Sequence, residues 1–332
     1  MWKTFLATLN PMLMLFICIT IGFILRKTKI LPESAGVAMA KLEIWVFCPA
    51  LSFYTMSYYC TPSNVGIHAT NILLSAIGLV LALLLAILLS RLFVKQNTYE
   101  RNVYQYSFSF ANSGYMGDPL VQSMLGDVGL AYYKLYCLPI TMLSYVWGMN
   151  VLIPKEQQTG NAIKRLFNAP TVAMFIGIIV GLSGLGKYLL GPMNAPNFFG
   201  STMNILKSCM GPVAMLLVGF TVAKFDVKSL LGDIKIYVMT LFRLVLVPMV
   251  LLGAIYGLKQ LLNVSFGLEI DNFVLHLSFF AIAAPVGLNT VIFSEAYGGE
   301  AKTGASMAMI SHTICVITIP LMYALVSAVF PL

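Results

Sequence analysis

The chain has 332 residues, of which 59% are hydrophobic and only 10% charged, with a mean hydropathy of +0.87. Soluble domains are about a quarter charged, so these charges are too few to clothe a water-soluble protein, and the recurring long apolar runs indicate a polytopic membrane protein. The net charge of +8 comes from basic residues in twos and threes between those runs, which fits loop charge and argues against a nucleic-acid surface.

Ten spans are predicted in chain order. Span one (8–26, "LNPMLMLFICITIGFIL") is read as a transmembrane helix and not a secretory leader, because its run is long enough to cross and no A-x-A-like site follows. Span two (35–59) holds "FCPALSF", in which Pro49 is expected to break the helix. Spans three (68–93), four (102–124) and five (129–152) complete the first half, residues 1–155. The polar interval "PKEQQTGNAIKRLFNAP" is the natural midpoint. The second half, residues 156–332, holds spans six (168–188), seven (198–222, with a predicted break at Pro212), eight (235–260), nine (271–296) and ten (303–330).

Basic residues orient these spans. Thirteen Lys and Arg follow the odd-numbered spans, among them Arg26, Arg91, Lys155, Lys224 and Lys302, whereas the other side holds only Lys3, Lys187 and Lys259. The positive-inside rule then places the odd loops in the cytoplasm and both termini outside the cytoplasmic membrane.

The halves echo each other. Pro opens spans one and six, Pro49 and Pro212 occupy spans two and seven, and Pro139 and Pro320 occupy spans five and ten. "SFSFANSGYMGDP" of span four matches "LSFFAIAAPVGLN" of span nine when Phe110 is set on Phe280. Five spans per half is an odd number, so the second copy enters from the opposite face: an inverted-topology repeat, as in many secondary transporters.

Spans four and nine also hold the strongest helix breakers. Non-helical backbone survives in a bilayer only where it is buried in protein or lines a wet cavity. Gly114, Gly117 and Pro119 are expected to break span four just after Asn112 and Ser113, and Pro285 and Gly287 to break span nine just before Asn289 and Thr290. Freed N–H groups suit an anion and freed carbonyls a cation, so paired breaks predict a midplane substrate site, with Na+ near Asn112 and Asn289 or H+ as the coupling ion. Asp118 is ionisable at this depth, which by default indicates function: it carries a proton or binds the coupling cation, unless it reaches interfacial water.

Other polar residues carry weaker signals. Ser311 and His312 are placed to reach the span-nine break. Lys41, Glu43, Lys134, Lys207 and Arg243 read as helix-end residues that snorkel, with Lys207 and Arg243 deep enough to attract an anion. His276 and Glu295 read as interfacial, and Tyr54, Tyr58 and Tyr59 as an aromatic belt. An enzyme is not expected: "GYMGD" has Tyr115 where the G-x-G-D of intramembrane aspartyl proteases needs glycine, and HExxH and GxSxG are missing. The six cysteines show no metal-ligand spacing, so no metal site or cofactor is expected.

"FANSGYMGDPLV", "LSFFAIAAPVGLNTVIFSEAYG", "ASMAMISHTICVITIPLMYAL" and "KLEIWVFCPALSF" together resemble the auxin efflux carrier family, which includes plant auxin exporters and bacterial malate and malonate permeases. The resemblance covers essentially the full length. It implies an all-α protein of ten helices in two inverted repeats with helices four and nine crossing, as in bile-acid sodium symporter and sodium/proton antiporter folds. It also implies a scaffold (spans 1, 2, 6, 7) that pairs two protomers, and a transport domain (spans 3–5, 8–10) that moves as an elevator. Asn112 and Gly114–Pro119 would form the first crossover, and Pro285, Asn289 and Thr290 the second. Asp118 stands where the family has an apolar residue. The expected function is secondary transport of a small organic anion; the alternative is a cation/proton antiporter using Asp118.

Overall fold

The computed structural model describes residues 1–63, 65–96, 98–153, 167–291 and 301–332. Glu295, the distal end of span nine and the central polar interval lie outside the described residues. Among the described residues the regular structure is helical, with one isolated antiparallel bridge, Ala111 to Val286.

The helices follow the apolar runs. They are α1 (Trp2–Lys27), α2 (Ala35–Tyr59), α3 (Val65–Phe93), α4 (Tyr99–Ser109), α5 (Ser113–Tyr136), α6 (Leu138–Leu152), α7 (Ala169–Leu182), α8 (Gly186–Leu190), α9 (Phe198–Val222), α10 (Val227–Leu231), α11 (Ile234–Phe266), α12 (Phe273–Ala283) and α13 (Ala301–Val329). Six of them (α1, α2, α3, α9, α11 and α13) are long and apolar enough to cross a membrane, or seven if the bent pair α5–α6 counts as one span. The sequence reading expects ten. Residues such as Met14, Ile17, Leu84, Leu88, Ile179 and Ile317 leave apolar side chains on the outside of the bundle, the pattern of a protein whose solvent is lipid. This is a multi-pass membrane protein.

Prolines act differently from expectation. Pro212 lies inside α9, which continues unbroken to Val222. Pro49 does not break α2 either; it follows a wide turn over Glu43–Phe47 in which the Cys48 N–H reaches back five residues to the Glu43 carbonyl. Pro119 and Pro248 likewise follow wide turns over Ser113–Gly117 and Phe242–Leu246. Proline has no N–H and crowds the carbonyl four residues back; a five-residue turn relieves that clash without ending the helix.

Two packed pairs make the frame. In α1 against α9, Gly22 sits on the Leu216 backbone and Gly219 on the Ile19 backbone; in α2 against α7, Gly177 and Gly181 sit on the backbone of Phe53, Met56 and Cys60. With little hydrophobic drive between helices in lipid, such close backbone approach through small residues is what holds them together.

α5 is folded back on itself. Gly126 interrupts it at φ 69°, ψ −172°, a region open essentially to glycine alone. The limbs on either side run back along each other, as the contacts between them show below.

Candidate functional site

The two breaks meet. The backbone is extended at Phe110 (φ −120°, ψ 121°) between α4 and α5, and a second non-helical stretch runs over Ala284–Leu288 after α12. They cross side by side: the Asn112 N–H donates to the Pro285 carbonyl at 2.7 Å and the Gly287 N–H to the Phe110 carbonyl at 3.4 Å. The Val286 N–H donates to Ser311 Oγ at 3.2 Å, and the Ser311 hydroxyl donates in turn to the Ala308 carbonyl at 3.2 Å. Each crossing strand thus satisfies the other, as a low-dielectric surrounding requires.

The first break lies upstream of where the sequence places it. It falls at Phe110–Asn112, before Gly114, Gly117 and Pro119. Those residues open the returning helix: Met116 and Gly117 both donate to the Asn112 carbonyl, at 3.2 and 3.1 Å. α4 ends at Ser109 and α12 at Ala283.

A cavity of about 140 Å³ lies against the crossing, well above the roughly 10–15 Å³ one water needs. Among the predicted site residues, Asn112, Ser113, Gly114, Tyr115, Asp118 and Asn289 line it. Ser113 and Gly114 start a helix, so their N–H groups have no intrahelical carbonyl. Gly287 and Leu288 bring the second break to the same space. Asn289 Nδ2 donates to Tyr106 Oη at 3.0 Å.

The remaining predicted residues serve the walls. Gly117 and Pro119 lie behind the lining; a Cβ on Gly117 would meet the Tyr133 hydroxyl, which donates to the Ser113 carbonyl at 3.2 Å. Pro285 supplies a crossing carbonyl, and Thr290 is fully buried with its hydroxyl on the Gly287 carbonyl at 2.8 Å. His312 stands behind Asn112. Its Nδ1 lies 2.7 Å from the Ala308 carbonyl, which can only accept, so Nδ1 carries the hydrogen and Nε2 accepts from Asn112 Nδ2 at 3.0 Å.

Several expectations are overturned by burial. Asp118 is 2% exposed and forms an ion pair with Lys134, which therefore does not snorkel. Glu43, Lys207 and Arg243 are buried as well. Lys207 Nζ reaches Asp127 Oδ2 at 2.7 Å and lies 4.3 Å from the Tyr54 ring centre, which takes Tyr54 out of the predicted aromatic belt. Arg243 Nη1 donates to the Ile282 carbonyl at 2.6 Å, placing a cation at the C-terminal end of α12, where helix carbonyls concentrate negative potential. His276 is a packed core residue, bonded to Tyr323 Oη at 3.0 Å and to the Phe330 carbonyl at 2.8 Å. Lys134, Thr141, Ser144 and Cys48 line the cavity and were missed as site residues. For Lys134 a signal existed: Asp118 and Lys134 are equally spaced about a glycine between two predicted spans.

An all-helical membrane bundle with two crossing breaks around one polar cavity has the form of a transporter. Residues 7–323 match the family described as membrane transport protein. The chain belongs to this family, that of the auxin efflux carriers. It is 21% identical over 315 residues to an uncharacterized transporter of Methanocaldococcus jannaschii, covering 94% of this chain and 97% of that one. It is 28% identical over 118 residues to the protein PIN-LIKES 2 of Arabidopsis thaliana, covering 35% of this chain and 26% of that one. The protein is a membrane transporter, as the members of its family are.

Proposed function

We propose that this transporter carries a small organic anion, such as a carboxylate, bound in the cavity at the crossing. The observation that carries this reading is the convergence of two helix starts, Ser113–Gly114 and Leu288–Asn289, on one cavity. Helix starts offer oriented N–H groups and positive potential to an anion, and the Asn112 and Asn289 amides add neutral donors. The antiporter reading is weaker, because Asp118 already holds Lys134 as its cation.

We read the chain as ten spans in two inverted repeats. The six long apolar helices, the broken segments α4–α5 and α12 onward, the α5–α6 limbs and α7 supply them. Support comes from the frame: if span one answers to span six and span two to span seven, then the glycine-packed pair α1–α9 answers to α7–α2. Spans 1, 2, 6 and 7 then form the scaffold, whose exposed apolar faces pair two protomers, and spans 3–5 and 8–10 move past it in alternating access. Coupling is to H+ or Na+. Thirteen basic residues against three place both termini outside the cytoplasmic membrane.

Counterflow of radiolabelled malate into proteoliposomes tests the substrate class. Asn112→Ala and Asn289→Ala are expected each to slow uptake; unchanged uptake in both variants would overturn the reading.

A further inference from the structure

We propose that Glu43, together with Asp118 and Lys134, forms a proton-binding site, and that in this conformation the Glu43 carboxyl carries the proton. Its use as the coupling site rests on the transport reading above; its existence as a proton site does not.

The argument is one of charge and partners. Glu43 is fully buried in the wide turn of α2. Oε2 takes its hydrogen bond from the Cys48 thiol at 3.6 Å, a weak donor, and Oε1 has no hydrogen-bond partner among the described residues. Among those residues, the titratable groups that act electrostatically on Glu43 are Cys48, Asp118 and Lys134. Lys134 already donates to Asp118. The one ammonium is thus taken by Asp118, and a charged Glu43 would be a buried carboxylate with no cation in contact, supported by a single thiol. An unpaired buried ion costs far more than a buried neutral acid, so the cluster is neutral only with one proton bound.

The site is placed to exchange that proton. Cys48, Asp118 and Lys134 line the cavity, as does Ile44 beside Glu43. Glu43 belongs to α2, whereas Asp118 and Lys134 belong to α5, across the boundary between the proposed scaffold and moving part. In the release step the Oε–H bond breaks, its electron pair stays on the carboxylate, and the proton passes to water in the cavity. Reprotonation reverses the step when the cavity opens to the other side.

Infrared difference spectroscopy of the full chain, reconstituted in phosphatidylcholine at neutral pH, tests this without a substrate. The carbonyl stretch of a protonated carboxyl is expected in the wild type and lost in Glu43→Gln. Growth on ¹³C-labelled glutamate should shift that band in the unmutated protein, and Glu43→Asp, which keeps the acid but loses that shift, assigns it to this position even if Glu43→Gln fails to fold. Absence of the band, its survival in Glu43→Gln, or a band that does not shift on labelling would each overturn the proposal. Malate counterflow run in parallel separates the two readings: a glutamate band without malate counterflow keeps the proton site and rejects the organic-anion substrate.

Discussion

Asp118 and Lys134 each lie eight residues from Gly126, and they meet as an ion pair. On a straight helix, sixteen positions apart, they would be separated by roughly 24 Å. Gly126 reverses the chain, and the reversal brings opposite charges together beside the cavity. Because Asp118 is 2% exposed, each charge depends on the other.

Removing one partner should therefore be costly. Lys134→Met leaves the Asp118 carboxylate buried and unpaired, and is expected to destabilise the protein by about 3–5 kcal/mol, whereas the double change Asp118→Leu with Lys134→Met should recover much of that loss. Chemical denaturation in detergent micelles reads both. A double variant as unstable as the single one would show that the pair is not interdependent.

The reversal itself makes a second prediction. A Cβ at Gly126 meets nothing within 4 Å, so Gly126→Ala costs only backbone strain, about 1–3 kcal/mol. Gly253 lies on an exposed face of α11 and also has open space around it; there the same change should stabilise by about 1 kcal/mol. Opposite signs in thermal unfolding are the expected result.

Behind the cavity, His312 fixes the Asn112 amide through Nε2. His312→Phe keeps the ring and removes the acceptor. Loss of one neutral hydrogen bond, about 1 kcal/mol, should weaken malate half-saturation in counterflow by about five-fold. Unaltered half-saturation would mean that Asn112 is held by its backbone alone.

Lys207 on α9 and Asp127 on α5 bridge the proposed scaffold and moving part at 2.7 Å. In a background with the six native cysteines replaced, Lys207→Cys with Asp127→Cys, joined by a short bifunctional thiol reagent, should stop counterflow. Uptake that continues in the cross-linked protein would be incompatible with relative motion of α5 and α9.

The fold was legible where composition decides it. Apolar runs give α2 and α9 to the residue, and α13 nearly so, because in lipid length and apolarity leave little choice. That Asn112 and Asn289 would line a cavity was legible because polar groups beside helix breakers need a polar surrounding. Lys134 and Glu43 were not. Burial of a charge depends on which side chain lies opposite, and that pairing arises only once Gly126 folds α5 back and α2 packs across it. The prolines misled for a local reason: a wide turn absorbs Pro49 and Pro119, so a residue that ends helices in water merely re-aims them here.

The glycine contacts between α1 and α9 have one more consequence. Where main chain rests on main chain, no side-chain rotamer change can open a path for water to the peptide groups. Local opening follows the density of such buried contacts. Amide hydrogens around Gly22 and Gly219 should consequently exchange only through global unfolding, while those near Gly126, with open space around its α-carbon, exchange early. Mass spectrometry of deuterium uptake would then draw the line between frame and moving part without any substrate being known.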